Sequence, residues 1–252
     1  TMNAASGGCT LNTNGIVWAN ASTGSAGVST YTLTSNFSMS GLLTASASTA
    51  INKTTSETFT TSGGITFNSN IQGTADIYLT GGTWSGAGSC YVNLFINGNV
   101  TISGNVYFGP TGPANPTLTY LSGSVITTSS TLNLVGGSGG TVTLNTNGIT
   151  WNDVSYISPY QGVAITLTSD LVLAGTLTLL RPSPISKTVN EKIYCGNGAA
   201  FTGYPITSTA EIILLGGTFS LPTNIVNVNA PITFNGNVTV TGTLTYGGTN
   251  AV

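Results

Sequence analysis

Charged side chains are the first candidates for chemistry in this sequence of 252 residues, which contains ten of them and no histidine. Six of the ten recur at matched places in the chain, and these are Lys53, Glu57, Asp76, Lys187, Glu191 and Glu211. The spacing of four between each Lys and Glu puts both side chains on the same face of a strand. A duplicated Lys–Glu site with no histidine offers little general acid–base catalysis. The sequence therefore predicts structural ion pairs or subunit contacts at these six positions.

Two further acids, Asp153 and Asp170, could act as the carboxylate pair of a glycosidase, which needs a separation of about 5–10 Å. Their counterparts earlier in the chain are Asn20 and Asn36, so neither acid recurs. The absence of histidine excludes Ser-His-Asp and Cys-His catalysis. We therefore predict that the chain is not an enzyme, and we keep a polysaccharide-processing, tailspike-like glycosidase as the alternative.

The sequence also predicts no metal site, no cofactor, no nucleic-acid partner and no membrane insertion. The three cysteines (Cys9, Cys90 and Cys195) form no CxxC pair, so we expect buried thiols, with one disulfide as the alternative. Four Lys and Arg side chains are too few to displace the counterions of a nucleic acid. An apolar run of about 18 residues, as needed to span a bilayer, is absent.

A long internal repeat organises the chain. The segment TLNTNGIVW at Thr10–Trp18 returns as TLNTNGITW at Thr143–Trp151, and NGNVTISGNVYFG from Asn97 returns as NGNVTVTGTLTYG from Asn235. Two copies of about 130–140 residues are therefore present, and a fixed period is typical of repeat architectures. We predict a first copy over 1–114 that is cut at its amino end, a connecting coil over 115–130 and a second copy over 131–252, as one continuous solenoid.

A shorter rhythm within each copy predicts the fold. Apolar anchors followed by Asn, Ser or Gly recur about every 22 residues, a period typical of solenoids. Between them, apolar and polar residues alternate in short runs, which indicates half-buried strands. These features predict an all-β chain that forms a right-handed parallel β-helix with one coil per 22 residues. Two tandem antiparallel β-sandwich or jelly-roll domains, one per long repeat, are the alternative.

Aromatic residues fall into two groups. Trp18 and Trp151 occupy equivalent positions in the two copies, so we expect them to pack in the core. Tyr156, Tyr160 and Tyr204 lie in segments that differ between the copies. Since aromatic side chains are enriched in interfaces, these three are candidates for exposed contact residues.

The segments GNVTISGNVYFG and GNVTVTGTLTYGG resemble the β-helical shafts of phage tail fibres, tailspikes and related virion surface proteins. This resemblance, one of style, implies an exposed and often trimeric protein that binds or decorates surfaces. Adhesin passenger domains and ice-binding solenoids look similar, and Thr-x-Thr segments such as Thr166-Leu-Thr are compatible with an ice-binding face. The expected location is therefore the virion surface or the extracellular space.

Composition gives the functional expectation. Only 4% of the residues are charged, against about 25% in an ordinary soluble domain. Such a chain resists association poorly, because surface charge normally keeps proteins apart. We therefore expect a non-enzymatic structural or attachment protein of a virion or cell surface. Its expected partners are other subunits of the same assembly, as a homo-oligomer such as a trimer or with capsid and tail proteins, and surface glycans.

Overall fold

The protein is an all-β chain with no helix among the residues that the structure describes. The structure, a computed structural model, describes residues 8–24, 29–111, 114–127, 129–136, 139–157, 163–180, 184–202, 206–221, 226–242 and 244–246. The chain divides into two compact units, the first made of residues 1–109 and 116–130, and the second of residues 110–115 and 131–252.

The first unit contains sixteen described strands. They are β1 (Cys9–Leu11), β2 (Val17–Trp18), β3 (Ala21–Thr23), β4 (Ser29–Leu33), β5 (Phe37–Met39), β6 (Leu43–Ala45), β7 (Thr49–Lys53), β8 (Thr58–Thr61), β9 (Gly64–Phe67), β10 (Ile71–Gly73), β11 (Asp76–Ser85), β12 (Ser89–Cys90), β13 (Leu94–Ile102), β14 (Asn105–Phe108), β15 (Thr117–Ser122) and β16 (Val125–Ile126).

These strands stack on three faces. The first face has the order β1-β4-β7-β10-β12-β14, and the second has the order β2-β5-β8-β11-β13-β15. The third face is formed by β3, β6 and β9, which pairs with the second half of β11, and by β16, which pairs with the second half of β13. One passage of the chain over all three faces makes one coil.

The second unit contains seventeen described strands. They are β17 (Thr131–Leu134), β18 (Thr141–Asn145), β19 (Thr150–Trp151), β20 (Asp153–Tyr156), β21 (Ala164–Leu167), β22 (Leu171–Leu173), β23 (Leu177–Leu179), β24 (Ile185–Lys187), β25 (Lys192–Cys195), β26 (Gly198–Phe201), β27 (Ile206–Thr207), β28 (Glu211–Leu214), β29 (Gly217–Ser220), β30 (Val226–Asn229), β31 (Ile232–Phe234), β32 (Val238–Thr241) and β33 (Leu244–Tyr246).

The second unit also stacks its strands on three faces. One has the order β17-β20-β23-β26-β29-β32, and another has the order β19-β22-β25-β28-β31. The third comprises β18-β21-β24 and β27-β30-β33, with a parallel bridge between Ile185 and Ser208.

Strand pairing confirms the predicted β-solenoid, which has about nine turns. Each described pair is parallel, and partners lie about one coil apart, as Cys9 and Tyr31 do. A parallel pair needs a long connection, and here the connection is the rest of the coil. The alternative of two antiparallel sandwich domains is therefore wrong, while the right-handed sense and the repeat boundaries stay predictions.

Alternation of side chains builds the core inside the coils. In β4, Ser29, Tyr31 and Leu33 are buried while Thr30 and Thr32 are partly exposed. Buried aromatic residues stack between coils, as Phe37 and Phe59 do with ring centroids 4.9 Å apart. The period-two pattern in the sequence therefore separates an apolar interior from a hydroxyl-rich surface.

Glycine is required at matched corners of both units. Gly64 and Gly198 have φ angles of +92° and +96°, in the left-handed region that only glycine enters freely. A Cβ atom at Gly64 would lie 2.2 Å from the backbone nitrogen of Thr83, and one at Gly198 would lie 2.1 Å from the backbone oxygen of Thr218. Close stacking of successive coils therefore leaves no space for a side chain at these corners.

Candidate functional site: the charged positions

The carboxylate of Glu57 closes a turn within its own coil. Its oxygens accept hydrogen bonds from the backbone nitrogens of Thr54 and Thr55, at 2.8 and 2.7 Å. The hydroxyls of the same two threonines donate at 2.7 and 3.0 Å. Donation from the Thr55 backbone, above all, lowers the pKa of Glu57 to about 2, since hydrogen bonds favour the ionised form. This buried side chain is therefore a structural anion rather than a proton donor.

Glu191 repeats this turn in the second unit. Its carboxylate accepts hydrogen bonds of 2.7 Å from the hydroxyl of Thr188 and from the backbone nitrogen of Val189. Donation from the Thr188 hydroxyl is the main cause that lowers the pKa of Glu191. Val189 stands where the first unit has Thr55, so one hydroxyl donor is lost. Neither Glu57 nor Glu191 has a cation within ion-pair distance among the described residues.

An ion pair joins two coils of the first unit. The ammonium nitrogen of Lys53 lies 2.6 Å from Oδ2 of Asp76, and both side chains are mostly shielded from solvent. The side-chain nitrogen of Asn93, in the next coil, donates to Oδ1 of Asp76 at 2.8 Å. The Asp76 carboxylate therefore links three successive coils, and Lys53 pairs with Asp76 rather than with Glu57.

The second unit forms its ion pair with a different lysine. Lys192 lies 2.9 Å from Oε2 of Glu211, and the two residues are register partners on β25 and β28. The hydroxyl of Thr233, in the following coil, donates to Oε1 of Glu211 at 2.5 Å. The Thr233 hydroxyl, followed by Lys192, lowers the pKa of Glu211, while Glu211 raises the pKa of Lys192.

Lys187 does not reproduce the contact of its counterpart Lys53. Among the described residues no carboxylate lies within ion-pair distance of its ammonium group, although its charge contributes to lowering the pKa of Glu211. Sequence analysis missed Lys192, because the equivalent residue in the first copy is the uncharged Thr58. The signal that could have identified it is its position directly after Glu191, the repeated acid of the turn, at an outward position of the following strand.

Asp153 and Asp170, the candidate glycosidase pair, each bind the backbone of the next coil. Oδ1 of Asp153 accepts a hydrogen bond of 2.7 Å from the backbone nitrogen of Thr176. Oδ1 of Asp170 accepts one of 2.8 Å from the backbone nitrogen of Lys192. Asp153 also accepts a bond from the side chain of Asn152 at 2.6 Å. Both acids therefore hold coils together.

The counterparts of these acids make the same contact as amides. Oδ1 of Asn20 accepts from the backbone nitrogen of Leu42 at 2.8 Å, and Oδ1 of Asn36 accepts from that of Thr58 at 3.0 Å. The same bond to a following coil is made by Asn70, Asn93, Asn99 and Asn115. Since the contact needs only one acceptor oxygen, Asn and Asp are interchangeable in it. The sequence already carried a signal of this role, since Asn occupies in the first copy the positions that Asp occupies in the second.

The three tyrosines proposed as exposed contacts do not form a site. Tyr156 is completely buried in β20, so its assignment as an exposed aromatic is wrong. The alternation of β20 turns Val154 and Tyr156 inward and Ser155 outward. Tyr160 and Tyr204 lie outside the described residues. A partly exposed aromatic pair of the first unit is formed by Tyr78 and Phe95, whose rings stack 4.6 Å apart on adjacent coils.

The three cysteines are free thiols. Cys90 and Cys195 are buried, and burial raises the pKa of each thiol to about 12. These two are therefore unreactive core residues, as expected. Cys9 differs from the expectation because it is exposed on β1.

Within the described ranges, no group of three or more His, Cys, Asp or Glu side chains is placed to hold a metal ion. The described part of the chain also has no helix long and apolar enough to cross a membrane. Comparison with protein-family models, curated proteins and solved structures finds no match to this chain.

Proposed function

We propose that this chain is a non-enzymatic structural or attachment protein of a virion or cell surface. One observation carries the proposal: each of the six carboxylates in the chain accepts hydrogen bonds from neighbouring backbone or side-chain groups, in turns or between coils. Carboxylates held in this way support a stacked scaffold. A glycosidase instead needs one carboxylic acid and one carboxylate that both face the substrate.

The surface of the coils supports the same proposal. Outward register positions carry small hydroxyl side chains in columns, such as Ser22, Thr44, Thr66 and Ser85 over four coils of the first unit. Hydroxyl groups stack at the spacing of about 4.8 Å between strands without the repulsion of like charges. In this column Thr66 and Ser85 bond each other at 3.1 Å. A stack of coils with such columns presents a repetitive, neutral surface suited to packing and to contacts with surface glycans.

A hydrolysis assay separates the proposal from its enzyme alternative. The protein is incubated with a panel of bacterial polysaccharides, and released reducing ends are measured. We expect no release above the level of a heat-denatured sample. Release that is lost in the double variant Asp153→Asn and Asp170→Asn would replace the structural proposal with the glycosidase. The Asn residues at the matched positions of the first unit indicate that this variant folds.

The location is tested by electron microscopy of the source particles or cells. Gold-labelled antibodies against the chain should bind intact particles or cells at their surface. Label that appears only after the particles or cells are opened would contradict a surface role.

A further inference from the structure

Two outward aromatic rings of the first unit stack on each other. Tyr78 on β11 and Phe95 on β13 are register partners, and their ring centroids lie 4.6 Å apart at an interplanar angle of 10°. Both side chains are partly exposed. Because the centroid separation is close to the strand spacing of about 4.8 Å, the ring planes face along the stack of coils. Phe95 therefore covers one face of the Tyr78 ring, and the other face points towards the preceding coil.

The preceding coil leaves this second face of the Tyr78 ring open. The register partner of Tyr78 in that coil is Thr60 on β8, whose side chain is much shorter than a tyrosine ring. The Tyr78 ring therefore extends beyond Thr60 and forms a step on the surface. This ring step, made by Thr60 and Tyr78 with Phe95 behind them, presents one flat apolar ring face.

Hydrogen-bonding groups border the ring step on both sides along the strand. Asp76 and Thr80 lie two residues before and two residues after Tyr78, and both are outward and partly exposed. The ammonium group of Lys53, from the preceding coil, lies 2.6 Å from Oδ2 of Asp76. The contacts with Lys53 and Asn93 use two of the about four acceptor positions of the Asp76 carboxylate. The border therefore offers donors and acceptors side by side.

The second unit shows that stacking of the coils does not require this arrangement. Its matched positions carry other residue types, since the equivalents of Thr60, Tyr78 and Thr80 are Tyr194, Ile213 and Leu215. Ile213 is only 8% exposed and has Tyr194 as its register partner in the preceding coil. A ring thus occupies the place of the step, and an apolar side chain replaces the Thr80 hydroxyl of the border. The open ring face with a polar border is therefore a feature of the first unit and not of the repeat.

The chemistry of the ring step is complementary to an uncharged sugar. One face of a pyranose ring carries C–H groups, which the electron-rich face of an aromatic ring attracts, and the hydroxyl groups at its rim both donate and accept hydrogen bonds. Because the charges of Lys53 and Asp76 neutralise each other, the border selects neither an anion nor a cation. A nucleotide base also stacks on aromatic rings, but its phosphate needs an unpaired cation, and Lys53 is already paired.

The small area of the ring step argues against a protein partner. A stable protein interface buries about 800 Å² on each partner, and one open ring face is a small fraction of that area. The neighbouring outward positions of the same column carry the hydroxyl side chains of Ser38, Thr60 and Thr119. The apolar surface at this place is therefore limited to about the size of one sugar ring.

We propose that the ring step binds one neutral hexose ring of a surface glycan. The sugar stacks on the open face of Tyr78, above Thr60, and its hydroxyl groups form hydrogen bonds with Lys53, Asp76 and Thr80. Phe95 holds the Tyr78 ring from behind and does not contact the sugar. This inference rests on the proposed function and deepens it by naming the class of ligand and the residues that bind it.

A glycan array tests the class of ligand. Fluorescently labelled wild-type protein is applied to immobilised oligosaccharides of glucose, galactose and mannose, and to sialylated and uronic-acid oligosaccharides as the acidic set. We expect binding to at least one of the neutral oligosaccharides. Binding to none of them, or to the acidic set alone, would overturn the proposal.

Variants that exchange residue types between the units locate the site. Tyr78→Ile removes the ring and Thr60→Tyr fills the step, so each should weaken binding of the neutral oligosaccharide selected on the array by about tenfold, measured by calorimetry. Tyr78→Phe keeps the ring face and should retain the affinity. Tyr194→Thr, the reciprocal exchange in the second unit, is the matched control and should bind as the wild type does.

The exchanged residues already stand at equivalent positions of the repeat, so we expect all these variants to fold, and circular dichroism verifies this. Wild-type affinity in Tyr78→Ile would overturn the proposal. Wild-type affinity in Thr60→Tyr would also overturn it, because the sugar would then not lie on the open face of Tyr78.

The proposed function fails independently of this site. A chain that antibodies detect at the surface of intact particles or cells, but that binds no neutral oligosaccharide, would contradict only the sugar site. Hydrolysis of an oligosaccharide that the ring step binds would contradict the structural role and leave the sugar site standing.

Discussion

Of the two pairs of matched acids, one makes the same contacts in both units and the other changes its partner. Glu57 and Glu191 bind the residues two and three positions before them in the same turn. Asp76 binds Lys53, whereas its counterpart Glu211 binds Lys192 and not the Lys53 equivalent. Contacts within a turn are therefore kept by the local sequence, while contacts between coils depend on what the neighbouring coil provides.

The changed ion pair shows what the fold requires. An outward carboxylate at the start of β11 or β28 is paired with a lysine from the preceding coil in both units, although the lysine comes from a different position. The next coil adds a neutral donor, Asn93 in the first unit and Thr233 in the second. A carboxylate in this column is thus balanced by a cation on one side and a hydrogen-bond donor on the other.

Replacing the matched tryptophans should give the largest difference between the units. Trp151→Ala should lower the free energy of unfolding by about 3–5 kcal/mol, because it leaves a cavity in a closed core. Trp18→Ala should cost no more than about 2 kcal/mol, since that ring is already part exposed. Urea denaturation measures both. Equal costs would show that Trp18 is as buried as Trp151.

The turn acids should make stability depend on pH. The pKa of Glu57 is about 2 in the folded chain, below the ordinary value of about 4.3. Its contribution is therefore present above pH of about 4.3 and is lost as the pH falls towards 2. Thermal unfolding from pH 7 to 2 should show this loss in the wild type and a weaker one in Glu57→Gln. Glu191→Gln should change the profile less, because the second turn lacks the Thr55 hydroxyl. Identical profiles for the wild type and Glu57→Gln would contradict the conclusion that the turn stabilises the ionised form of Glu57.

Lys53 and Lys187 occupy equivalent positions in the repeat, but replacing them should affect stability differently, because only Lys53 has an ion-pair partner among the described residues. Lys53→Met should destabilise the first unit by at most about 1 kcal/mol, as is usual for part-exposed ion pairs. Lys187→Met, its matched control, should have no measurable effect on the melting temperature. Lys192→Met should lower the melting temperature less than Lys53→Met, because its ion pair is more exposed. An effect of Lys187→Met as large as that of Lys53→Met would indicate that Lys187 also forms an ion pair.

Exchanging the acceptors between the units should have the smallest effect. Asn36→Asp and Asp170→Asn should each change the free energy of unfolding by less than about 0.5 kcal/mol, because either residue supplies the needed oxygen. Asp170→Leu is the control. It removes the acceptor of the backbone nitrogen of Lys192 at an exposed position and should cost about 0.5–1.5 kcal/mol. A large loss in Asp170→Asn would reveal a requirement for the charge itself.

The sequence by itself determined the fold class and the coil. Short apolar–polar alternation specifies strands with one buried face, and a step of about 22 residues specifies their stacking, because both are local periodicities. It also predicted structural roles for six recurring charged residues, Lys53, Glu57, Asp76, Lys187, Glu191 and Glu211. They were identified because they are charged residues that recur at matched positions of a chain in which only ten residues are charged.

Only the tertiary structure decided which of these residues meet. Lys53 reaches Asp76 across a coil, and Lys192 acts in place of Lys187, because stacking brings together residues about 22 positions apart. The inward direction of Tyr156 was likewise decided by the phase of its strand, since a shift of one residue would turn it outward. The coils packed against each ring also decide that Trp151 is buried while Trp18 is 42% exposed. Periodicity fixes the type of contact, whereas the partner depends on the neighbouring coil.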